Sequence, residues 1–188
     1  MSEKTRKKGG VLDFIERVGV AKNNSLVDIA LLEHCVREDL NSRAMRRVAV
    51  FDPVKVTVTN YPEGKTEYFE LPNNPGSEEA GRRKLPFTRE LFVEREDIAL
   101  DPPPKFFRMK PGGEVRLMGA YIVRVDEILT DADGNITEVR CKADLETGNG
   151  MPADGRKVKG TIHWLSASEC AETDVMMYGR LFTEPDMN

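Results

Sequence analysis

The chain of 188 residues carries 28 lysines and arginines against 32 aspartates and glutamates, a net charge of -4, and 39% hydrophobic residues. That length can bury a core without staples, and three cysteines far apart, with no CxxC pair, argue against disulfides or zinc and for a reducing compartment. The acidic balance excludes indiscriminate adhesion to nucleic acid; no apolar run reaches membrane-spanning length, and Met1 to Gly10 has no apolar region of a secretory signal, so a soluble, cytoplasmic protein is expected.

Residues 1–10 are polar and basic and end in a glycine pair, the composition of a flexible tail. Val11 to Val18 is a short amphipathic turn. Ser25 followed by Asp28 resembles a capping box, and Ile29, Leu32, Cys35, Val36 and Leu40 space a helix out to about Asn41. His34 has no second ligand at the next turn and reads as a surface or packing histidine.

After Ser42 helical spacing gives way to short alternating runs separated by turn residues. Val48 and Val50 begin the change, and Val54, Val56 and Val58 alternate with Lys55, Thr57 and Thr59. A turn at 60–64 leads to a returning strand over Thr66 to Leu71. Residues 72–84 (PNNPGSEEAGRRK) predict a long loop with a basic end. Leu91 to Glu94 predicts a further strand, and Asp101 to Pro104 a stiff approach to the next stretch.

Residues 105–125, KFFRMKPGGEVRLMGAYIVRV, combine two signals. From Val115 the odd positions are mostly apolar while Arg116 and Arg124 fall on even ones, which predicts one long half-buried strand that runs on to the turn at Asp131. Before it, Lys105, Phe106, Phe107, Arg108 and Lys110 set cations beside aromatic rings, the combination that holds phosphates and stacks unpaired bases. Between Pro102 and Met118 four cations face only Glu114, a local balance of 4 - 1 = +3 on an acidic body. Asp131 to Asn135 is a hairpin turn, the chain returning through Ile136, Val139 and Cys141, and its glycine and the following Lys142 do not fit an EF-hand loop. Residues 148–155 form another loop, Val158, Ile162 and Trp164 alternate in a strand with Trp164 inward and His163 outward, and Val175 to Phe182 suggests a last strand. P-loop, GxGxxG, GxSxG and HExxH motifs are all missing, so the chain reads as a binding module with no catalytic or metal-ligating residues, a small β-barrel preceded by helices.

Four blocks, FIERVGVAKNNSLVDIALLEHCVREDL (14–40), VAVFDPVKVTVTNYPEG (48–64), KPGGEVRLMGAYIV (110–123) and PADGRKVKGTIHWLSA (152–167), resemble in order the carboxy-terminal part of the glutaminyl-tRNA synthetases. The resemblance implies a mainly β fold, an antiparallel β-barrel anticodon-binding domain over residues 46–188 with the family's last strands absent. Residues 11–45 would end a helical connecting subdomain. It also implies a tRNA anticodon loop as partner, with each splayed base in its own pocket. Arg46, Arg108 and Arg116 match family arginines that contact the anticodon, and Asn73 lies in a PNNPG loop that resembles a family PNxP loop. With Lys105 and Lys110 these make the expected RNA-binding set. Where some members carry a further arginine, two residues after Arg116, this chain has Met118.

By the same resemblance, ATP and magnesium belong to a catalytic domain of the parent chain, so this stretch holds no cofactor, is a monomeric fragment of a class I glutamine-tRNA ligase, and does not aminoacylate by itself. Two alternatives stand beside it. The eukaryotic-type glutamyl-tRNA synthetases share the barrel, but the EVRLMGAY block and the HWLSA ending favour the glutaminyl family. A stand-alone RNA-binding barrel has no need of the helical block at 14–40.

Overall fold

In the computed structural model, residues 9–20, 22 and 26–179 are described, and they fall into two compact units. The first comprises the chain up to Arg46, the segment Pro72–Gly81, and the stretch from Thr173. The second holds Arg47–Leu71 and Arg82–Glu172.

In the first unit, α1 (Gly10–Val18) and α2 (Ile29–Arg43) pair. Asp13 and Arg17, one turn apart on α1, form an ion pair at 2.9 Å, and Arg17 reaches Glu38 of α2 at 3.0 Å, while Cys35 is buried. Ser25 lies outside the described residues; the cap of α2 is Asp28, whose carboxylate accepts the Ala30 N–H at 2.9 Å. His34 is half exposed beside Glu38. The loop 72–81 closes on the end of α2, because the buried Asn74 amide donates to the carbonyls of Asn41 and Ala44 at 3.1 and 3.0 Å. Val175 to Gly179 carry no regular structure and stand exposed, without the strand expected there; 180–182 lie outside the described residues. No ladder partner pairs with 175–179 among the described residues, and an unpaired strand has nothing to hold it extended.

The second unit is mainly β. Its strands are β1 (Pro53–Val58), β2 (Glu67–Pro72), β3 (Arg82–Phe87), β4 (Glu90–Glu94), β5 (Glu114–Leu117), β6 (Ile122–Thr130), β7 (Ile136–Asp144), β8 (Thr161–Ile162) and β9 (Leu165–Ser166). Seven form one sheet in the order β8-β5-β6-β7-β1-β4-β9, and β2 pairs with β3. Neighbours within the seven-stranded sheet run antiparallel except β1 with β7 and β5 with β8. β8 and β9 sit at opposite ends of this order, yet Ile162 and Leu165 are three Cα steps apart, a reach of at most about 11 Å. The sheet therefore curls into a half-barrel.

Inside the curl, Val54, Val56 and Val58 point inward as their alternation predicts, with Leu91, Val93, Val115, Leu117, Val123 and Val125. Phe87 meets Tyr61, Phe69, Tyr121 and Trp164 edge-on with centroids 5.0 to 6.0 Å apart, the favoured aromatic geometry. The hydroxyls of Tyr61 and Tyr121 both donate to Glu67 Oε2, at 3.2 and 2.8 Å. Burial, with that carboxylate, pushes the Tyr61 hydroxyl up to about 12, so it stays a neutral donor.

Several expected elements are redrawn. The single strand expected from Val115 to the turn at Asp131 is two: β5 turns through Met118–Gly119–Ala120 and returns as β6, with Leu117 N–H bonded to Tyr121 O at 2.9 Å. Register explains why this was hidden. Val115 faces Val123 and Arg116 faces Ile122, each residue pairing with one of like parity, so Val115, Leu117, Tyr121, Val123 and Val125 keep one alternation through the reversal. Gly119 makes the turn possible at φ 72°, with a Cβ site only 2.3 Å from Leu71 Cδ2. The basic end of the 72–84 loop is the start of β3, which tolerates Pro86 because it lies in a two-stranded ribbon. Val48 and Val50 are half-buried but outside any strand, and the strand expected over Val158 to Trp164 reduces to β8. Trp164 is buried and His163 exposed, as the alternation required.

Candidate nucleic-acid interface

Arg108 is placed by its neighbours in the chain. Met109 is fully buried, its N–H bonds Asp97 O at 2.8 Å, and its carbonyl accepts the Ala99 N–H at 3.0 Å, which pins this segment beside 97–99. The side chain then turns outward, with Nη1 donating to Glu96 O at 3.1 Å and Nε 3.2 Å from the Asp97 carboxylate. Asp97 is buried, and that burial raises its pKa while the Arg108 charge opposes the shift. The guanidinium is fixed along one edge, leaving donors for an outside acceptor.

Beyond Arg108 the surface sinks into an open groove of about 540 Å³. Phe106 and Phe107 line it together with Arg108, Lys110, Arg124, Lys157, Lys159 and Glu114, five cations against one carboxylate. β5 and β6 bring Arg124 opposite Glu114, and the parallel pairing of β8 with β5 carries the 157–160 segment alongside. Gly160 is the closest approach. A Cβ there would lie 1.6 Å from the Phe107 carbonyl oxygen, so only glycine lets these two segments touch. Phe107 is 44% exposed, and Lys159 Nζ stands 5.0 Å from its ring centroid.

The single acid is masked. Arg156 binds Glu114 at 3.0 Å, Asp144 at 2.7 Å and Asp154 at 2.9 Å, and these carboxylates hold its guanidinium protonated. Among the described residues, Lys110, Arg124, Lys157 and Lys159 have no carboxylate in ion-pair range, whereas Lys55, Arg95, Arg140 and Lys142 elsewhere in the unit do. Unpaired cations around exposed rings suit a flexible polyanion with flat bases.

Of the six expected contacts, the groove gathers Arg108 and Lys110. Lys105 is exposed two residues before Phe107, at φ 67°, and does not line it. Arg116 is committed to backbone, donating to Ala120 O at 3.2 Å and Gly150 O at 2.6 Å, outside the groove lining. Arg46 and Asn73 belong to the other unit, where Arg46 N–H bonds Asn73 O at 2.7 Å and the Asn73 amide bonds Ala80 O at 2.9 Å. At Met118 the backbone takes part: its carbonyl accepts the Trp164 indole N–H at 3.1 Å. Arg124, Lys157 and Lys159 went unassigned from sequence, although the Lys–Val–Lys alternation already set both lysines on one side. Among the described residues no cluster of His, Cys, Asp and Glu is suited to a metal, and no helix is long and apolar enough to cross a membrane.

A family model described as the anti-codon binding domain of class I tRNA synthetases (E and Q) matches residues 44–144, more than half of the chain. The chain belongs to this anticodon-binding family. Proteins named glutamine--tRNA ligase resemble it throughout: one from Xanthomonas euvesicatoria is 51% identical over 175 residues, 92% of this chain and 30% of that protein. Those of Bradyrhizobium diazoefficiens and Clostridium perfringens are 48% and 47% identical, over 31% and 32% of their lengths. The chain thus spans about a third of the length of the curated relatives it matches. Much of the groove, from Phe106 to Arg124, lies inside the anticodon-binding match, while Lys157 to Gly160 lie beyond it.

Proposed function

We propose that this chain recognises the anticodon loop of glutamine tRNA as part of a glutamine-tRNA ligase. The observation that carries the reading is the groove, where a guanidinium held by Asp97 and the Glu96 carbonyl faces outward beside two phenylalanines and four unpaired cations. A planar fork fixed on one edge reads a base edge, and the rings supply a stacking surface. Arg108 reads one base here. Arg116, held by other carbonyls outside the groove lining, reads another, as suits bases splayed apart, and Arg46 with Asn73 contributes a further contact. The relatives' names favour glutamine over glutamate as the amino acid. In the whole ligase, a cytoplasmic monomer in this reading, glutamine activation uses ATP and magnesium outside the matched region.

The test is binding of the 188-residue chain to the glutamine anticodon stem-loop and to variants altered at each anticodon position. Arg108→Ala should cost roughly 1 to 3 kcal/mol on the matched RNA and flatten discrimination at one position. Equal losses on every anticodon would make Arg108 a phosphate clamp, and equal binding of every stem-loop by the unaltered chain would overturn the reading.

A further inference from the structure

We infer that Arg124, Lys157 and Lys159 form a phosphate-holding wall of the groove, gripping the backbone of the RNA whose base Arg108 faces; this rests on the anticodon reading above. The three side chains come from two places in the sequence, β6 and the segment before β8, and meet only because both segments flank β5. All three are exposed, and among the described residues none has an acidic partner. Lys157 and Lys159 flank the half-buried Val158, which turns both ammonium groups to the solvent side.

The wall differs from Arg108 in the property that separates phosphate from base recognition. Arg108 is locked by a carboxylate and a carbonyl, whereas the lysines are point charges on flexible stems, suited to an anion of any orientation. Glu114, the one acid of the groove, would repel a phosphate, but Arg156 takes its carboxylate at 3.0 Å, and Asp144 and Asp154 hold Arg156 in place. A groove built to bind a cation would leave that carboxylate open. Lys159 is steadied over Phe107, so a base against that ring has its phosphate within reach of the ammonium.

The test compares the unaltered chain with Arg124→Gln, Lys157→Gln and Lys159→Gln, and with Lys142→Gln as a control that removes one charge beside Asp126, outside the groove. Affinity for the glutamine stem-loop and for anticodon variants is measured over a range of salt. Each wall variant should weaken all stem-loops alike, several-fold, and make the plot of log affinity against log salt shallower by about 0.7 per charge lost on a single-stranded loop; the control should do neither. Stem-loops carrying one neutral methylphosphonate linkage at a time then locate the contact: at one linkage the Lys157 and Lys159 variants should lose no further affinity. Wall variants that bind as the unaltered chain does, that discriminate against one anticodon only, or that remain additive with every neutral linkage overturn the wall. An unaltered chain that binds all anticodons alike while its wall variants still lower the salt slope overturns the anticodon reading and leaves the wall standing.

Discussion

Asp97 is the residue on which Arg108 depends, and it carries a cost. A buried carboxylate whose folded pKa lies above its unfolded value near 3.9 favours the native state most when protonated; that contribution is fully present below about pH 3.9 and is lost as pH rises through the raised folded value. The Arg108 guanidinium, 3.2 Å away, opposes that shift and favours the charged form. Binding runs in the opposite sense, since protonation releases the guanidinium. Acidification through the raised Asp97 value should therefore erode the base-selective part of RNA binding before ordinary carboxylates titrate. Asp97→Asn should abolish that pH dependence with little loss of melting temperature. Selectivity that titrates identically in Asp97→Asn would remove Asp97 from this role. Glu94, His163 and Glu96 are the other titratable groups that act on Asp97, and all three belong in the fit.

Among the elements, the contact between the 106–108 segment and the strand entering β8 decides whether the groove exists. Gly160 accepts the Arg116 N–H at 3.0 Å through its carbonyl while its Cα lies against the Phe107 backbone. Added volume there meets a carbonyl oxygen at 1.6 Å, which a side-chain rotation cannot relieve, so the two segments must part. Gly160→Ala should destabilise the fold by roughly 1 to 3 kcal/mol and lower RNA affinity as Phe107 and Lys159 separate. Denaturant unfolding and stem-loop binding of the same variant check both halves. Wild-type affinity in a folded Gly160→Ala chain would show that the groove tolerates the displacement.

Across the β unit, the curl is closed by a short connection. Only His163 and Trp164 separate the strands at the two ends of the seven-stranded order, and Trp164 drives its ring into the aromatic cluster against Phe87 at 5.3 Å while its N–H bonds Met118 O. The same side chain thus anchors the β5–β6 turn and the joint between the sheet's ends. Trp164→Ala should cost about 3 to 5 kcal/mol, seen as a lower midpoint in denaturant, whereas His163→Ala, on the exposed face, should stay within about 0.5 kcal/mol. A Trp164→Ala midpoint equal to that of the unaltered chain would place the core elsewhere.

The sequence by itself determined the class of the fold, the inward valines of β1, the two helices, the outward His163 and inward Trp164, and, through four ordered blocks, the family. These are legible because side-chain alternation and helical spacing are local, set within a few residues by backbone geometry. Tertiary structure alone decided the reversal at Gly119, since pairing between positions of like parity leaves the alternation unbroken. It also decided the site. The cations and rings around Arg108 are visible in sequence, but which strand lies beside which depends on hydrogen bonds between distant segments. Those bonds brought Arg124, Lys157 and Lys159 to the groove, tied Arg116 to two carbonyls, and placed Arg46 and Asn73 in the other unit.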